Sequence, residues 1–121
     1  MKDTFRAREK AYEAKFKLDE EKRFKAEMRR NRMLGEWAAR KLGLTRAESE
    51  ALCKAVVISD LKEPGVEDCV RMVMHEFERR EVPTTETEIR DELVRLLDVA
   101  MAEVDAAYPD PLGRDHERVG D

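Results

Sequence analysis

The sequence predicts an all-α protein, a small four-helix bundle built on one long first helix. Three observations carry that prediction. Charged residues make up 43% of the 121 positions, a composition rich in residues that lose little on helix formation. Only 5 Gly and 4 Pro punctuate the chain, too few for the turns of a sheet protein. The apolar residues recur at helical spacing over most of the length. A chain of this size has room for one modest core rather than two.

The first helical pattern runs without a breaker from about residue 5 to residue 42. It stops at Gly43, which can take the left-handed conformation that closes a helix. The second opens on "TRAE", where Thr45 can cap the helix while Glu48 reaches back to the cap backbone, and it is expected to end near Ser59, before "DLKEPG". Its "CKAVVIS" run is β-branched, but the capped start and the set Ala47, Ala51, Leu52, Ala55 and Val56 favour a helix. A third, over residues 66–80, lines up Val66, Cys69, Val70, Val73, Met74 and Phe77, and Pro83 ends that pattern. The fourth opens on a second capping box, "TETE" from Thr85, and carries Ile89, Leu93, Leu96, Leu97, Ala100, Met101 and Val104 to about residue 107. The remainder, "YPDPLGRDHERVGD", has two prolines, two glycines and little apolar surface, so residues 108–121 are expected to be a disordered tail.

Length then separates the first helix into two parts. At about 1.5 Å per residue it would reach about 57 Å, against roughly 20 to 33 Å for the other three, so part of it must overhang. Met28, Met33, Leu34, Trp37, Ala38 and Leu42 cluster towards its C-terminal end and belong to the core. The N-terminal part, "RAREKAYEAKFKLDEEKRFKAE", is nearly all charge and alanine. Within it Phe5, Tyr12 and Phe16 fall inside roughly 40° at about 100° per residue, a narrow aromatic line on a charged shaft. Such anchors suit a helix that binds in a groove of another protein. The same rings could equally pack on Lys and Arg stems of a partly frayed helix.

Charge is distributed unevenly. Residues 1–42 hold 14 Lys+Arg against 8 Asp+Glu, and residues 43–121 hold 10 against 20, which makes a basic arm on an acidic body. Lys22, Arg23, Lys25, Arg29, Arg30 and Arg32 could track phosphates, but Asp19, Glu20, Glu21 and Glu27 interleave them, so nucleic acid is not an expected partner. Cys53 and Cys69 have no second pair and read as buried thiols rather than a disulfide or zinc framework. "HEFER" has one histidine, His75, and not the two of a zinc-protease helix; no Walker loop or nucleophile elbow is present either, so neither an enzyme nor a cofactor or metal is expected. No run is apolar enough to span a bilayer, and "MKDTFRAREK" lacks a signal's apolar segment, which predicts a cytoplasmic protein without direct membrane insertion.

The stretches "REKAYEAKF", "FKAEMRRNRMLGEWAARKLG" and "VVISDLKEPGVEDCV" resemble the zeta subunit, or ATPase inhibitor zeta, family of alphaproteobacterial F-type ATP synthases. The resemblance covers about residues 5–101 and is most specific in "RRNRMLGEWAA" and in the "SD…EPG.ED" loop; the tail beyond Tyr108 passes the family's usual end. It implies a four-helix bundle, monomeric when free, over residues 21–107, with a mobile inhibitory segment over residues 1–20. That segment would fold as a helix into a catalytic interface of the synthase head, against its alpha, beta and gamma subunits, and block rotation in the hydrolysis direction. The protein would thereby sit peripherally at the inner membrane. Carried onto this sequence, the partner-binding residues are Phe5, Tyr12 and Phe16, with Arg6, Arg8, Glu9, Glu13 and Lys15 at the rim. The alternative is a helical binding module that holds a small ligand or protein on the bundle, with weak inhibition or none.

Overall fold

The computed structural model describes residues 2–108. Four helices follow one another, α1 (Lys2–Leu42), α2 (Arg46–Lys62), α3 (Glu67–Arg79) and α4 (Glu86–Ala107), and the all-α reading stands. Helix α1 is the spine. It packs along α2 on one flank and α4 on the other, while α3 bridges α2 and α4 and barely meets α1. Residues 109–121, most of the expected tail, lie outside the described residues. Tyr108 is described. It caps α4 through its amide to Val104 and places its hydroxyl 3.0 Å from Glu21 Oε1 of α1.

Local sequence explains the helix ends. Thr45 and Glu48 form the reciprocal capping box at the start of α2. At α4 only half of the expected box exists: the Thr85 side chain accepts from the Glu88 amide, but the Glu88 carboxylate takes the neighbouring Thr84 hydroxyl at 3.0 Å. Helices α1 and α3 both close with a Schellman pattern. After α1, Gly43 at φ 67° lets its own amide reach Arg40 O and the Leu44 amide reach Ala39 O. After α3 the left-handed position is held by Glu81 at φ 59°, and Val82 returns its amide to Phe77 O. Leu44 and Val82 then fold back onto the core. Helix α2 runs to Lys62, beyond the expected end near Ser59, because Asp60 is buried within it rather than starting the loop.

The main core joins all four helices through Leu34, Ala38, Leu52, Val56, Cys69, Val73, Phe77, Ile89 and Leu93. Phe77 and Leu34 are its largest fully buried side chains, while Trp37 is half-buried and tilts against Phe77 with ring centroids 5.9 Å apart. At Gly35 α1 and α2 approach closely: a Cβ there would stand 2.8 Å from Cys53 Cα. A smaller second cluster, Ala26, Ala100 and Val104 with Met101 and Tyr108 against them, joins α1 to α4 alone. This end of the bundle is therefore two helices thick.

Between the clusters lies a buried polar node. Asn31, fully buried, donates from Nδ2 to Asp60 Oδ2 at 2.8 Å, and the Arg30 guanidinium donates twice to Asn31 Oδ1 while standing 3.7 Å from the same Asp60 oxygen. The other Asp60 oxygen accepts from the Gly65 amide at 3.1 Å. A buried charge is tolerated only when paired and hydrogen-bonded, and this node meets both conditions. It ties the middle of α1 to the loop between α2 and α3.

Candidate partner-binding surface

The overhang is present as helix. Residues 4–17 of α1 are exposed throughout, and burial begins only at Leu18, Lys22 and Ala26. Helix α4 ends opposite this point, where Lys22 pairs with Asp105 at 3.2 Å and Lys22 and Lys25 both lie over the Tyr108 ring. The Tyr108 hydroxyl, and after it Glu21, holds the Lys25 ammonium above its ordinary value. The exposed residues 4–17 make about 21 Å of projecting helix, at about 1.5 Å per residue.

All eight residues singled out from the sequence sit on this projection. Phe5 is 67%, Tyr12 76% and Phe16 57% exposed, and Arg6, Arg8, Glu9, Glu13 and Lys15 are exposed beside them. Among the described residues, the ion pairs of α1 begin only at Glu21 and Lys22. At about 100° per residue, Phe5, Tyr12 and Phe16 fall within roughly 40° of Arg30 and Leu34, both of which are buried in the bundle. The aromatic line thus continues the core-facing stripe of α1 past the point where its cover ends. Rings on that stripe keep the same inward aim with no helix among the described residues opposite them.

Sequence reasoning missed one exposed ring, Phe24, which is 53% exposed. It stands off the aromatic line and shares a cleft with Phe16 and with Met101 of α4.

The rest of the surface offers less. Arg23 pairs with Glu27, Arg29 with Glu103 and Arg32 with Glu50, while Arg30 is buried on Asn31 and Asp60, so the cations that could have tracked phosphates are engaged inside the molecule. The groove between α2 and α3, about 520 Å³ and lined by Leu52, Met72 and Arg80 among others, has its arginines paired to Glu48 and Glu76. Cys53 and Cys69 are free, and burial raises both thiols, Cys69 to about 11. Among the described residues no three His, Cys, Asp or Glu side chains gather as a metal site, and no helix is long and apolar enough to cross a membrane.

The chain is a small all-α bundle with its own core closed and a projecting helix that leaves aromatic side chains exposed. The family model of the ATPase inhibitor subunit zeta matches residues 1–103, and the chain belongs to that family. Membership carries an ATPase-inhibitory role in general and association with an ATP synthase. No curated protein matches the chain.

Proposed function

We propose that the chain inhibits ATP hydrolysis by an F-type ATP synthase through residues 1–20. These would enter an interface between catalytic subunits beside the rotor as a helix and stop rotation in the hydrolysis direction. The observation that carries this reading is the exposed aromatic line: Phe5, Tyr12 and Phe16 project on the part of α1 that lies exposed beyond the bundle in a member of an inhibitor family. No chemistry is required of the chain. Ordering a backbone costs roughly 1 to 2 kcal/mol per residue, and helical turns without tertiary support are marginal in water. The segment is therefore mobile in the free monomer and ordered only in the groove. Burial of the three rings, together with the helical hydrogen bonds and rim charge pairs made in the groove, offsets that cost. In this role the protein is cytoplasmic and reaches the inner membrane only through the synthase.

Deletion of residues 1–18 tests the proposal. Steady-state hydrolysis by the cognate catalytic head should lose its inhibition, while circular dichroism shows the bundle still folded, because residues 4–17 contribute nothing to the core. Full inhibition by the shortened protein would refute it.

A further inference from the structure

The exposed apolar surface does not end with the overhang. At its root, Phe16, Phe24 and Met101 form the floor of a cleft of about 540 Å³ whose walls carry Asp19, Glu20, Arg23 and Glu27. The fold creates this corner. The α2–α3 loop is held back at Arg30 and Asn31 through Asp60 and Gly65, whereas α4 continues to Tyr108 opposite Glu21 and Lys22. Helices α1 and α4 therefore run past the other two, and the angle between them has no cover among the described residues. Met101 is half-buried there, packed on the Ala26, Ala100 and Val104 cluster, while Phe16 and Phe24 remain over half exposed.

Charge changes sign along this surface. Residues 4–17 carry Arg6, Arg8, Lys10, Lys15 and Lys17 against Glu9 and Glu13. In the corner Arg23 is taken by Glu27 at 3.6 Å, and among the described residues Asp19 and Glu20 have no cationic partner. The overhang is basic and its root is acidic. Phe16 belongs to both, so any groove that takes the overhang lengthwise brings its rim against the corner.

We infer that the corner is a second docking site for the partner that takes the overhang: it receives an apolar side chain flanked by lysine or arginine at the mouth of that groove, and so sets how far the helix enters. This inference rests on the insertion reading above. A rim of that chemistry would bury the exposed faces of Phe16 and Phe24 and neutralise Asp19 and Glu20, which no group among the described residues does.

Full-length variants titrated against ATP hydrolysis by the cognate catalytic head test it. Phe24→Ser and the pair Asp19→Lys with Glu20→Lys should each weaken inhibition on the order of tenfold, as loss of an interface anchor or reversal of complementary charge does. The pair should act mainly on the rate of capture. Because these positions are exposed, melting curves should match the parent; if Phe24→Ser were unfolded, the charge pair would still decide the question. Phe5→Ala with Tyr12→Ala serves as the overhang control. If that control loses inhibition while both corner variants inhibit like the parent, the corner proposal is overturned and insertion stands. If the control inhibits like the parent, or the parent does not inhibit, the insertion reading falls and takes the corner with it. If sedimentation shows the free parent self-associating, and the corner variants abolish that without affecting inhibition, the occupant is a second copy and the proposal is wrong.

Discussion

Gly35→Ala tests the packing that aims α1. A Cβ at this position would stand 2.8 Å from Cys53 Cα, 2.9 Å from Cys53 Sγ and 3.1 Å from Cys53 N. Alanine is intrinsically better than glycine within a helix by about 0.5 to 1 kcal/mol. Against that gain stands the cost of forcing a methyl into a packed interface, about 1 to 3 kcal/mol. Two of the three close atoms are backbone, so no rotamer change relieves them and α2 must shift as a unit. The shift is resisted on both sides of the contact, by Arg32 with Glu50 at 2.6 Å and by Asn31 with Asp60 at 2.8 Å. The clash should therefore win, with a net loss of about 1 to 2 kcal/mol. For a domain of this size that lowers the melting temperature by about 4 to 8 °C per kcal/mol. Thermal and urea melts followed by circular dichroism measure it. Adding Cys53→Ala removes the sulfur contact but not the two backbone contacts, so the double variant should recover only part of the loss. A Gly35→Ala protein as stable as the parent, or full recovery in the double variant, would refute the claim that the α1–α2 distance is fixed by backbone approach.

Other consequences concern the bundle itself. Phe77→Ala should cost about 3 to 5 kcal/mol in urea unfolding and Trp37→Ala distinctly less, since Phe77 is 1% exposed and Trp37 only packs against the core from its edge; the reverse order would misplace the core. The carboxyls of Glu48 (hydrogen-bonded by the Thr45 amide and hydroxyl, with Arg80 beside it), Glu67 (by Arg90), Glu76 (by Arg79) and Glu92 (by Arg95) lie below the ordinary value of 4.5. Their folded values are depressed, so the stability they contribute is complete above about pH 4.5 and is lost as pH falls through the folded values. Melting temperatures should hold between pH 7 and 5 and decline below 4.5, and a bundle equally stable at pH 3 would contradict the pairing. Burial raises both thiols, Cys69 to about 11, so a thiol reagent at pH 8 should label the native protein far more slowly than the urea-unfolded chain. Equal rates would show that the α1–α2 seam opens.

What could be read from the sequence was local. Four helices, the box at Thr45 and the stop at Gly43 depend on residues within a turn or two of one another, and each is found as expected. The aromatic line was legible for the same reason, because helical period alone places Phe5, Tyr12 and Phe16 together. Differences arise wherever a distant residue decides. Asp60 reads as the start of a loop, yet Asn31 and Arg30, far away in sequence, hold it inside α2. Arg30 itself reads as a surface cation and is 5% exposed. Phe24 gains significance only from Met101, which the fold brings from α4. At Thr85 the capping box is halved by an adjacent threonine that competes for the same carboxylate, a choice between neighbours that composition leaves open.

The buried polar node and the exposed aromatic line answer one structural requirement. A helix can present anchors to a partner only if its direction is held where it leaves the bundle, yet the presented part must have no cover of its own. Apolar packing between α1 and α4 alone, through Ala26, Ala100 and Val104, resists separation but permits sliding, since such contacts are non-directional. The hydrogen bond from Asn31 to Asp60, with Arg30 donating to Asn31 Oδ1 and Gly65 on the other Asp60 oxygen, is directional and fixes α1 in register against the α2–α3 loop. At the root of the overhang, Tyr108 on Glu21 and Asp105 on Lys22 add a second directional hold. Beyond those two points residues 4–17 are exposed throughout, and turns of that kind open at low free energy. On the insertion reading, the bundle's contribution is therefore geometric: it keeps the root of the helix aimed while the segment beyond it is ordered by whatever surface supplies the missing cover.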